Sequence, residues 1–170
     1  MSVTKNNKGF TLIELVIVLA IGALVIAGVI LAIGGAQQNR RDSARRDDLG
    51  KIVSKLENFA SNNRGCYPGM TAAQGCTGVG AFVGAAGTDT FQGRYLFDAG
   101  GNPTYRDPST SAAYTYAAGT EATITANLAT NATAQVVYEL GQDCANNAAA
   151  RAYSIYIQLE NGRQTCRDNR

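Results

Sequence analysis

The chain has 170 residues, 45% hydrophobic but only 16% charged, so it suffices for a small domain with an appendage, and its surface must rest on Thr, Asn, Ser, Gln and Gly, as suits the outside of a cell. The formal charge of +2 comes from Lys5 and Lys8; the rest of the chain is neutral. The absence of histidine excludes Ser-His-Asp and Cys-His catalysis, and no Walker A loop or GxGxxG turn offers a nucleotide a place, so neither an enzyme nor a cofactor is expected.

The opening MSVTKNNKG is polar and carries two lysines. Leu15 to Ile33 is then an unbroken run of apolar side chains and glycine. As a helix, Phe10 to Ile33 would span roughly 36 Å, enough to cross a bilayer. Three readings compete. A signal peptide ending at Gly34-Gly35-Ala36 would have too long an apolar middle and would not want Glu14. A plain anchor fits the length but leaves Glu14 unexplained, at a cost of roughly 2.5–3.5 kcal/mol on insertion scales. A cut between Gly9 and Phe10 supplies the missing counter-ion: the new α-amine of Phe10 lies four residues before Glu14, on the same helix face, and recurs on neighbouring copies.

Lys8-Gly9 followed by Phe10-Thr11-Leu12-Ile13-Glu14 and the apolar run resembles the class III leader of type IV pilins, a likeness that covers about the first thirty-five residues. The resemblance implies cleavage after Gly9 by a prepilin peptidase, N-methylation of Phe10, and a role for Glu14 in docking each subunit on its neighbour. It also implies a homo-oligomeric helical filament built by an inner-membrane assembly platform and its cytoplasmic ATPase. The precursor would be a single-pass inner-membrane protein and the product a cell-surface pilus. A major pilin is the expected function, serving adhesion, twitching motility or DNA uptake, with nucleic acid met only through the assembled pilus. The alternatives are a type II secretion pseudopilin or minor pilin, and a membrane-anchored extracellular binding module that never polymerises. Unlike many family members, the chain has no proline before Pro68; Gly22, Gly28, Gly34 and Gly35 are the points where the apolar helix would loosen.

Lysines before the span and Arg40, Arg41, Arg45 and Arg46 after it oppose one another under the positive-inside rule; the cysteines and the leader place the carboxy-terminal part outside. From Gln37 to Arg64, Leu49, Ile52, Val53, Leu56, Phe59 and Ala60 fall on one helical face, with Lys51, Lys55 and Glu57 opposite. Without an intervening proline the two segments should form one helix of roughly 80 Å, weakest at Gly50. The arginines, offset by Asp42, Asp47 and Asp48, are expected to meet lipid phosphates or a neighbouring subunit rather than DNA.

Gly65 to Gly101 reads as loop. Cys66, Cys76, Cys144 and Cys166 lack CxxC knuckles, which favours two disulfides over zinc; three pairings are open, and proximity favours Cys66 with Cys76 and Cys144 with Cys166. Strand signals follow at Tyr114–Tyr116, Ala122–Leu128, Ala134–Leu140 and Ala152–Leu159, where Tyr153, Ile155, Ile157 and Leu159 alternate with Ser154, Tyr156 and Gln158. Asn161-Gly162 marks a hairpin into Arg163–Cys166. In the pilin resemblance a carboxy-terminal disulfide loop anchors the last strands, and Cys144 and Cys166 sit where it would close.

The head's carboxylates, Asp89, Asp98, Asp107, Glu121, Glu139, Asp143, Glu160 and Asp168, show no catalytic spacing and are expected to be solvated. Asp98 to Asn102 with Asp107 is only faintly like a calcium loop, and no metal site is expected. Asn131-Ala132-Thr133 is a glycosylation triplet that carries little weight, and the eight tyrosines read as strand and surface residues. The expected layout is a leader at 1–9, a membrane or filament-core helix at 10–36, its amphipathic continuation at 37–64, and a disulfide-stapled head at 65–170. The fold class is α+β: a long amino-terminal helix whose second half packs on a small antiparallel sheet, as in type IV pilins.

Overall fold

No proline interrupts residues 12–62, and the apolar and amphipathic stretches join as one α-helix, α1, at Leu12–Asn62, passing Gly50 without a break. The computed structural model describes residues 9–119, 135–160 and 162–170. The strand expected at Ala122–Leu128, the Asn131 triplet, Glu121, Asn161, Lys5 and Lys8 lie outside these. The chain divides into two compact units, Met1–Asn39 and Arg40–Arg170. In the first, the described large apolar side chains from Phe10 to Ile33 stand 49% to 90% exposed, and the helix is long and apolar enough to cross a membrane.

In the second unit, α1 ends where Arg64 and Gly65 take positive φ, and the Gly65 amide turns back to the Ala60 carbonyl at 2.8 Å. The Asn63 side-chain amide donates to the Phe59 carbonyl, so two of the orphaned terminal acceptors are satisfied. A single 3-10 turn at Ala72–Gln74 and a short helix, α2, at Phe91–Tyr95 follow; Thr90 caps α2 by accepting from the Gly93 amide. Both lie in the stretch that reads as loop in the sequence. That stretch also supplies core, since Tyr67, Met70, Phe82, Phe91 and Leu96 are buried.

Among the described residues, four strands form one sheet in the order β1-β2-β3-β4: β1 at Thr115–Ala118, β2 at Gln135–Gln142, β3 at Ala148–Gln158 and β4 at Gln164–Asp168. β2, β3 and β4 pair antiparallel, but β1 runs parallel to β2. The sheet is therefore mixed, where the sequence pattern leads to a wholly antiparallel one. The sequence separation between β1 and β2 permits a parallel neighbour, since a hairpin needs only about two linking residues and a parallel pair roughly a dozen or more.

Val136 opposite Ile157 and Tyr138 opposite Ile155 project from one face of the sheet, and with Tyr153 they enclose Leu49, Ile52, Leu56, Phe59 and Ala60 of α1. Alternation along β3 predicts a solvated opposite face. Instead Ser154 and Tyr156 are buried, and Tyr156 clusters with Val137, Ala117 and Cys166. Disulfides join Cys66 to Cys76 and Cys144 to Cys166, closing loops of 10 and 22 residues worth about 3 kcal/mol each on a chain-entropy basis.

An ion-pair network ties the start of this part of α1 to two distant loops. Arg45, 4% exposed, donates through Nη2 to both oxygens of fully buried Asp107, at 2.9 and 3.0 Å, and to the Ser109 hydroxyl. The Ser109 amide and hydroxyl both donate to Asp107 Oδ1. Arg41 pairs with Glu160 at 2.9 Å, and the Glu160 amide donates to Asp42. Arg41 and Arg45, expected at lipid phosphates or a neighbouring subunit, therefore turn inward, because carboxylates 119 and 62 residues away claim them. Asp107, Glu139 and Asp143, expected to be solvated, are buried.

Breaking a buried pair costs more than forming it gains, because the surviving charge stays desolvated. Arg45→Met should lower stability by roughly 3–5 kcal/mol, and Arg45→Met with Asp107→Leu should recover more than half of that loss. Denaturant unfolding in micelles measures both.

Candidate processing and assembly site

Gly9 and Phe10 precede α1, and both are exposed, Phe10 to 90%. Thr11 immediately precedes the helix and Glu14 is its third residue. Glu14 Oε2 accepts from the Thr11 amide at 2.9 Å and the Thr11 hydroxyl at 2.8 Å, while that hydroxyl accepts from the Glu14 amide at 3.4 Å. This reciprocal arrangement is a capping box. It also puts a carboxylate in the first turn, where the helix dipole favours negative charge. The Thr-x-x-Glu spacing is visible in the sequence, but reading Glu14 only as a partner for an amine passes over it.

The cap brings Thr11 and Glu14 together and does not itself engage Phe10. A cap contributes about 1 kcal/mol. Placing a carboxylate in an apolar span costs roughly 2.5–3.5 kcal/mol, so the cap offsets less than half of that cost, and Oε1 can take a further donor. Leu15, Val18 and Leu19 flank Phe10 and Glu14 along one groove.

The head's carboxylates are largely taken up by local and ion-pair contacts among the described residues. Asp107 is held by Arg45, and Asp98 caps its own turn, accepting from the Gly100 and Asn102 amides at 2.9 and 2.8 Å. The two ends of the calcium-like stretch thus serve different tasks. Asp143 likewise accepts from the Ala145 and Asn147 amides. No cluster of three acidic or cysteine ligands occurs among the described residues. A cavity lined by Pro68, Phe82, Tyr138 and Leu140, with Glu139 as its single carboxylate, brings together no nucleophile and base.

A family model described as the prokaryotic N-terminal methylation motif matches residues 4–35. The chain carries the class III leader of type IV pilins. No curated protein and no solved structure matches the chain. The motif supports a pilin-like or pseudopilin-like protein, and with the apolar helix it fits a membrane-anchored precursor. The match ends just short of the arginine-rich turn of α1 and does not extend to the head.

Thr11→Ala should speed amide exchange at the first turn of α1 in micelles about fivefold, the equivalent of one lost cap, while Thr11→Ser should not. Hydrogen bonds from Asn102 and its neighbours hold Asp98 below the usual carboxylate range, and those from Asn147 do the same for Asp143. A depressed folded pKa means that this contribution to stability is complete above the ordinary value of about 3.9 and is lost as pH falls through the lower folded value. Amide shifts of Gly100, Asn102 and Asn147 should accordingly titrate with midpoints below about 3.9.

Proposed function

We propose that the chain is a major pilin: a prepilin trimmed between Gly9 and Phe10, methylated on the Phe10 amine, and assembled through its apolar helix into a type IV pilus. The observation that carries this reading is Glu14, an ionisable group at the head of an apolar helix, whose carboxylate is met among the described residues by Thr11. Trimming would generate a cation within one helical turn of it, on the same copy and on each neighbour. In a low-dielectric bundle that pair is strong enough to select register, and an incoming subunit without it would leave a carboxylate unmatched.

The remaining cohesion is apolar. Ala23 and Ala27 lie four apart and permit close helix approach, while large side chains around them supply the buried area. The four cysteines serve as staples of the head, suited to an oxidising exterior. Assembly would require a peptidase, a membrane platform and an ATPase from other chains, and adhesion, twitching motility or DNA uptake would be properties of the finished fibre. A pseudopilin or minor pilin shares the leader and the helix; abundance in sheared surface fibres separates the major subunit from both.

The mass of the amino-terminal peptide tests the reading. A chain that begins at N-methylated Phe10 is expected. A chain that begins at Gln37 indicates ordinary export, and an intact Met1 indicates a plain anchor; either result contradicts the proposal. In the trimmed protein, Glu14→Ala should leave cleavage intact and reduce surface fibres at least tenfold by electron microscopy, the equivalent of about 1.4 kcal/mol per docking step.

A further inference from the structure

The side chains most readily oxidised in proteins are scarce or shielded in this chain. It has no tryptophan and no histidine, its four cysteines are all in disulfides, and of its two methionines Met1 lies ahead of Gly9 while Met70 is 3% exposed. Tyrosine is left. Eight tyrosines are present, and two of them share a base. Tyr153 donates its hydroxyl to Glu57 Oε1 at 2.8 Å, and Tyr67 donates to the same carboxylate at 3.0 Å to Oε2 and 3.2 Å to Oε1. Their ring centroids are 4.6 Å apart, with planes tilted by 58°. Both tyrosines are buried, Tyr153 completely, yet Glu57 is exposed, so a proton handed to its carboxylate can reach solvent.

Helical periodicity puts Glu57 on the face of α1 away from the core, and nothing local in the sequence signals this contact. Other tyrosines have one of the two features without the other. Tyr138 lies 6.0 Å from Tyr153 but donates to the Pro68 carbonyl, which cannot take a proton. Tyr114 donates to the Asp48 carboxylate, but no ring contact accompanies it among the described residues. Burial raises the Tyr67 and Tyr153 hydroxyls above the ordinary tyrosine range, so both are protonated near neutrality and must lose a proton as they lose an electron.

We infer that Tyr67 and Tyr153 form an oxidative modification site, where a diffusible one-electron oxidant couples them into a dityrosine with Glu57 as proton acceptor. Each ring gives one electron to the oxidant and its phenolic proton to the Glu57 carboxylate, which passes it to water. The two phenoxyl radicals join through ring carbons ortho to the hydroxyls. The hydrogens on those carbons then move to the two oxygens and restore both phenols. The net change is one C–C bond formed, two electrons and two protons lost, and two equivalents of oxidant reduced. The product is a covalent tie between the segment after α1 and β3, chemically independent of the disulfides and of polymerisation.

The full chain in micelles, oxidised with photogenerated tris(bipyridyl)ruthenium(III) and persulfate, tests this. Dityrosine fluorescence should appear in monomeric protein, and peptide mapping should join Tyr67 to Tyr153. Tyr153→Phe should abolish that crosslink and Tyr105→Phe should keep it. Glu57→Gln should slow its formation roughly tenfold or more, as loss of a positioned base does, and Glu57→Asp should restore most of the rate. Crosslinks in the wild-type chain that join other tyrosines, or a Glu57→Gln protein with unchanged circular dichroism that couples as fast as wild type, would overturn the inference. The wild-type map decides the point even where a variant fails to fold.

Discussion

An apolar helix with its side chains standing in the open is the constraint on which the rest depends. From Phe10 to Ile33 the described large apolar residues are about half exposed or more, and covering them is worth on the order of 20–40 kcal/mol at 1.5–3 kcal/mol for each side chain. The charge at Glu14 opposes this by only a few kcal/mol. Burial therefore wins, in lipid or among copies, and under the proposed assembly the carboxylate would set the register in which helices dock. Its capping box with Thr11 fixes where the helix begins, and so where a new amino terminus would fall relative to the carboxylate.

The carboxy-terminal residues of α1 live under a different regime. From Arg41 onward the helix carries charge into its packing surface: Arg45 is held by Asp107, Asp48 by Tyr114, and Glu57 by Tyr67 and Tyr153. Between these polar ties lie Leu49, Ile52 and Leu56, fully buried against β2 and β3. Apolar burial supplies most of the stability. The polar ties specify register, because sliding or rotating the helix by one residue would strand several desolvated charges at once. The disulfides add covalent ties, one closing the loop just after α1 and one linking the β2–β3 turn to β4.

What is legible in the sequence is local. The apolar run, the stripe from Leu49 to Ala60, the alternation in β3 and the Gly162 turn each announce themselves within a few residues. What is not legible depends on partners far along the chain. Arg45 looks solvated because Asp107 is 62 residues away, and β1 looks like another antiparallel strand because nothing in Thr115–Ala118 encodes the direction of its neighbour. Phe82, Phe91 and Leu96 lie in a Gly- and Ala-rich stretch with no sustained period of 2 or 3.6, so their burial has no pattern to reveal it. The Thr11–Glu14 cap is a different case: its spacing is in plain sight, but a carboxylate in an apolar span points first to a counter-ion and hides the simpler role.

What covers the apolar face of residues 10–33 decides between a filament subunit and an anchored monomer. A photo-reactive phenylalanine analogue at Val25, irradiated in whole cells, reports this directly in sheared surface material. A filament held in register by Glu14 predicts a ladder of crosslinks between copies of this chain that disappears with Glu14→Ala. Surface material with lipid adducts alone, or a ladder that persists without Glu14, would contradict it.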